Sequence, residues 1–124
     1  MHWLEQQVDQ LHRLAARPGQ EFLAAVQTMT AEVAGRTGVT ACFVCHDGLL
    51  IETAGRAPDF EALSAMTQSW MVAGKEAAMT LSLGRVQQMV IIGHEHKLAL
   101  FVIGQLAVGI LSPRSVNLAK TLAH

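Results

Sequence analysis

The chain is short of charge. Only 15% of its 124 residues are Asp, Glu, Lys or Arg, while 51% are hydrophobic; an average soluble domain carries about 25% charged residues. The net charge is −1, and the Lys and Arg residues form no cluster or stripe, which argues against a nucleic-acid-binding surface. Long apolar runs are missing as well. The longest, Leu98 to Ile103, is ended by Gly104-Gln105, far short of the ~20 residues a membrane span needs. The start, Met1-His2-Trp3-Leu4-Glu5-Gln6-Gln7, lacks the basic-then-apolar pattern of a secretion signal. With two cysteines, this predicts a protein of the reducing cytoplasm. Internal repeats and low-complexity segments are also absent. Low charge with high apolarity implies a sheet covered on both faces, or surface reserved for a partner.

Catalytic and nucleotide-binding signatures are lacking too. Gly74-Lys75 is the only Gly-Lys pair; Ser69 stands at the earlier glycine position of a phosphate loop, and Glu76 follows the lysine. A phosphate loop needs Ser or Thr there, and a strand before it. No Gly-x-Ser-x-Gly elbow occurs. The chain is therefore expected not to be an enzyme and to hold no cofactor. His94-Glu95-His96 offers two imidazoles, too few for a structural zinc site, which wants four ligands. Solvated turn residues are the expected reading, and no metal is expected.

What is present starts with Gly38 to Ala54. Two β-rich runs flank Asp47-Gly48, a strong hairpin signal, because a tight loop needs positive φ at both central residues. Cys42-Phe43-Val44-Cys45-His46 also spells the C-x-x-C-H haem-attachment pattern. On a strand those cysteines point to opposite faces and cannot clasp one macrocycle or metal. They are expected to be small buried hydrophobes.

Around the hairpin, helical spacing predicts helices over 3–16, 20–35 and 59–80. Asp59 is a candidate cap or first-turn acid for the third. Strands are expected near 39–46, 49–54, 85–93, 97–103 and 106–111. The last two show almost no polar alternation, which predicts burial on both faces. Ser112 and Pro113 are expected to cap and open a final helix. The order predicts an α+β fold: a three-layer α/β/α sandwich with a five-stranded sheet, plus an extra N-terminal helix.

This order and its joints resemble the roadblock-type dynein light chain family, whose bacterial members include partners of small Ras-like GTPases. The resemblance rests on Gly38-Val39-Thr40, Asp47-Gly48-Leu49, the Ala-rich helix ending at Leu83-Gly84-Arg85, and the apolar hairpin Leu98 to Leu111 before a C-terminal helix. It covers about residues 20 to 123. The expected division is a roadblock-like domain at 20–124 and an amphipathic helical extension at 1–17. The resemblance implies homodimers or heterodimers, no catalytic residues, and an adaptor or regulator role toward a GTPase. Arg56 and Arg85 lie beside strand ends, but neither is singled out as an arginine finger.

The long helix supports a dimer independently. Leu63, Thr67, Trp70, Gly74, Ala77 or Ala78 and Leu81 are expected to face the core. A second stripe, Ala62, Met66, Ser69 and Ala73, would let another helix approach closely. With the expected sheet edge at Val86, Gln88 and Val90 it forms the predicted dimer interface. The alternative function is a sensory or scaffold module of similar fold that binds a small ligand or a kinase. Trp3 and the N-terminal helix are expected either to pack on their own domain or to dock a partner.

Overall fold

The computed structural model describes residues 2–15, 19–103 and 106–123. Its elements run α1 (His2–Ala15), α2 (Gln20–Ala34), β1 (Ala41–His46), β2 (Leu49–Gly55), α3 (Phe60–Thr80), β3 (Gln88–Ile92), β4 (His96–Ile103), β5 (Leu106–Pro113) and α4 (Leu118–Thr121). The strands form one antiparallel sheet in the order β2-β1-β5-β4-β3. Helices α1, α2 and α4 lie on one face, where Leu4, Leu11, Val26, Met29, Val33 and Leu122 meet Cys42, Val44, Val108 and Ile110. The other face carries α3, whose Phe60, Leu63 and Trp70 pack on Phe43, Cys45, Leu98 and Leu100. This is the expected sandwich.

The apolar central strands are buried on both faces, β5 completely from Leu106 to Ile110. Asp47 and Gly48 adopt φ of 52° and 79°, the positive pair that closes a hairpin without splaying its strands. Gly109 pairs with Phe43 across β1 and β5. A Cβ at Gly109 would lie 2.2 Å from the Phe43 ring, so the ring occupies the space a side chain would need. Phe43 also meets Phe60 edge-on, with centroids 6.5 Å apart, a favoured aromatic geometry.

Several expectations need correction. Ser112 and Pro113 do not start a helix; they extend β5, paired with Lys97 and His96 of β4. Pro113 lies beyond the end of β1, which pairs only as far as Leu111, so its missing N–H breaks no bond on that side. The cap of α4 is Asn117, whose side chain accepts from the Lys120 N–H at 3.1 Å. β3 begins at Gln88 rather than 85, and His96 belongs to β4. Leu81 is exposed at the end of α3 rather than core-facing, whereas Ser64 and Met71 are buried. The Gly104-Gln105 turn falls outside the described residues.

Candidate interaction surface

Asp59 caps α3, its Oδ1 accepting from the Ala62 N–H at 3.0 Å. This satisfies one of the donors every helix start leaves open. The helix ends in a Schellman motif. Ser82 takes φ 57°, its N–H donates to Met79 O and the Leu83 N–H donates to Ala78 O, which satisfies carbonyls of the last turn. Between these ends, Ser64 anchors α3 to the hairpin. Its Oγ donates to Gly48 O at 3.1 Å and accepts from Cys45 Sγ at 3.1 Å.

The flanks of α3 differ. Gln68 reaches the β1–β2 turn, where its Oε1 would lie 3.2 Å from a Cβ on Gly48. Across the helix, Gly74, Ala77 and Ala78 border an open cleft of about 580 Å³ against Arg85 to Met89. Residues 62, 66, 69 and 73 fall on that second flank by helical spacing. Ala62, Met66, Ser69 and Ala73 are all exposed there. The predicted stripe therefore lies on the β3 side of the molecule and carries no charge.

β3 is a free edge of the sheet. Val102 N–H donates to Gln87 O and Gly93 N–H to His96 O. Antiparallel bonds alternate along a strand, so residues 89 and 91 bond to β4. Gln88, Val90 and Ile92 then turn their N–H and C=O groups to the open edge. Their side chains project from the face opposite α3, in register with Phe101, Ala99 and Lys97. The structure thus sets the α3 stripe and the Gln88 and Val90 side chains on opposite faces of the sheet, with the β3 main chain at the edge between them. Val86, ahead of β3, is half-buried in the cleft. Sequence reasoning missed Ile92, 65% exposed, and Met79, Leu81 and Leu83, exposed by 80%, 66% and 70%. For the last three, apolar residues alternating with Thr80 and Ser82 across a helix end were the available signal.

The other edge differs. In β2, Glu52 pairs with Val44 and Leu50 with Cys45, which leaves Ile51 as a bulge. Arg56 N–H donates to Thr40 O, so alternation turns the Thr53 N–H outward. There the Glu52 carboxylate accepts it at 3.3 Å.

The cysteines hold no site. Cys42 lies in the α2-side cluster and Cys45 in the α3-side cluster. Burial pushes Cys42 up to about 12. Cys45 is also raised, first by burial and then by Glu61, against a lowering hydrogen bond with Ser64. Both stay neutral thiols, not the thiolates that act as nucleophiles or ligands. His94 and His96 are exposed. Among the described residues no group of three or more His, Cys, Asp or Glu is placed to hold a metal, and no helix is long and apolar enough to cross a membrane.

Residues 25–110 match the Roadblock/LC7 domain. The chain belongs to the Roadblock/LC7 family. In fold it is similar to MglB from Myxococcus xanthus, with a TM-score of 0.74 and 14% identity over 86% of this chain and 82% of that one. The gliding protein MglB from Thermus thermophilus gives a TM-score of 0.67 and 17% identity, covering 86% and 82%. A Roadblock/LC7 domain from Streptomyces avermitilis gives 0.66 and 19%, covering 79% and 83%. At these identities the likeness is one of fold. No curated protein shows a significant sequence match. The Roadblock/LC7 match begins within α2 and stops within β5, so α1 and α4 lie outside it.

Proposed function

We propose that this Roadblock/LC7 chain is a non-enzymatic homodimer that binds a small Ras-like GTPase in the cytoplasm as an adaptor or regulator. The observation that carries the dimer is the β3 edge, with its outward backbone groups uncapped and uncharged beside the exposed stripe Ala62, Met66, Ser69 and Ala73. An unprotected edge next to an apolar helix flank invites pairing with another chain, and two-fold dimers are the commonest closed assemblies. In this reading Gln88 and Val90 pair through main chain, and Val86 lines the cleft beside the joint.

Family membership supports the GTPase as partner, as does the absence of a phosphate loop from the chain itself. A partner surface regulates only when it contacts the GTPase's two nucleotide states differently. The test is affinity for a small Ras-like GTPase from the same organism, loaded with GDP or with a non-hydrolysable GTP analogue. Tighter binding of one form is expected. Equal binding of both would leave an adaptor and remove the regulator, and no binding of either would overturn the reading.

A further inference from the structure

The two ends of the chain meet. The Trp3 N–H, in the first turn of α1, donates to Ala123 O just past α4 at 3.3 Å. Arg36, two residues after α2, lies over the Trp3 ring with its guanidinium carbon 4.1 Å from the ring centroid. The same side chain donates from Nη1 to Thr121 O, in α4, at 3.2 Å. Behind these contacts, Leu4 and Leu11 of α1, Leu118 of α4 and Leu122 at its end are buried in one cluster with Leu106 and Val108.

The chemistry of this meeting is reciprocal. A helix start leaves its first N–H groups without intrahelical partners, and a helix end leaves its last carbonyls without donors. Trp3 supplies one such donor and Ala123 a carbonyl just beyond such an end, so each satisfies the other. The partial charges of the two helix termini are opposite and attract. Arg36 adds a cation near the α4 carbonyls, where the local field favours positive charge, and stacks on Trp3 in a cation–π contact. With its four residues, α4 is far too short to persist without such support.

We propose that α1 and α4 form a single latch pinned by Arg36, so that the two helices open and close together and uncover the same apolar face. The latch stands apart from the β3 edge and does not depend on the proposed function. It makes residues 2–15 part of the closed fold rather than an independent appendage. Opening exposes Leu106 on the sheet face away from α3, together with Leu118 and Leu122 of the latch itself.

Hydrogen exchange read by mass spectrometry on the full-length protein tests this. In Arg36→Gln, amides of both α1 and α4 are expected to exchange at least roughly fivefold faster, the lower end of a typical coupling, with β1 and β5 unchanged. Leu14→Ala provides a second, milder variant. Leu14 is half-buried against the same cluster and lies about 16 Å along α1 from Trp3. If the latch is one unit, loosening α1 there also speeds exchange in α4. Acceleration confined to α1 in Leu14→Ala would overturn the coupling. Unchanged exchange in both helices in Arg36→Gln would overturn the pin.

Discussion

At one edge of the sheet β2 bulges at Ile51 and covers its outward Thr53 N–H with the Glu52 carboxylate. At the other, β3 keeps an unbroken register and offers the backbone of Gln88, Val90 and Ile92 with no charged side chain in the strand. Bulges and charges are the usual means of keeping an edge from pairing. One edge of this sheet is defended and the other is left able to pair. The flanks of α3 follow the same division: Gln68 closes down on the hairpin, while small and apolar residues face the β3 side. Asymmetry between edges, more than total hydrophobicity, indicates where a second chain would be received.

Four changes would break or sharpen that contrast. The largest effect is expected from Ala73→Arg, which puts a charge in the proposed helix contact. An uncompensated buried charge costs about 3–5 kcal/mol, enough to leave particles of 13.4 kDa in light scattering. A variant that stays folded and dimeric would remove that flank from the interface. Next comes Val90→Pro. Its N–H faces the open edge, so proline there breaks no bond to β4 yet blocks edge pairing. Each lost hydrogen bond weakens the dimer by about 1 kcal/mol, and light scattering at falling concentration should show earlier dissociation. Thr53→Pro on β2 should leave the mass unchanged; equal dissociation by both variants would erase the difference between the edges.

The third change is pH, acting on the strand between the edges. Cys42 has its pKa raised from 9.0 to about 12 in the folded chain, so its burial favours folding fully below pH 9. As pH rises from 9 towards 12, the unfolded chain loses the proton that the folded chain keeps. Stability should fall by up to about 1.4 kcal/mol per pH unit in that window. Cys45 is raised as well and acts in the same direction. Urea unfolding of wild type and Cys42→Ala should diverge there and run parallel below pH 8. The smallest effect belongs to Glu52→Ala, which uncovers the Thr53 N–H at a cost of about 0.5–1 kcal/mol. The dimer should persist, since β2 is not the proposed joint, and chemical denaturation would read the loss.

Much of the fold was legible because local chemistry specified it. Asp47-Gly48 demanded positive φ, Asp59 offered a cap, and Leu106 to Leu111 lacked the polar alternation of a half-exposed strand. Ser112-Pro113 misled because the same pair that starts a helix also suits a strand end lying past its neighbour. Leu81 misled because spacing alone does not show where a helix stops; Ser82 in the left-handed region ends the core-facing stripe there. The stripe on α3 was readable, but the flank it occupies follows from strand order, which no local pattern encodes. The setting of Trp3 was hidden for the same reason, since Arg36 and Ala123 meet it only after the chain has folded.

The Phe43 ring lying over Gly109 bears on how the sheet chooses its alignment. β1 and β5 are apolar on both faces, so sliding one past the other by two residues would keep every hydrophobic side chain inside. Patterning, which ordinarily sets register, has little to select between such slips. Moving the pairing by two residues would set Phe43 against Leu111 or Ala107, and either brings a Cβ into the space the ring needs. The missing side chain at Gly109 thus works like a keyhole for Phe43, admitting one alignment of the two central strands. From that central pair the β1–β2, β4–β5 and β3–β4 hairpins lead outwards to the two edges, one guarded and one open.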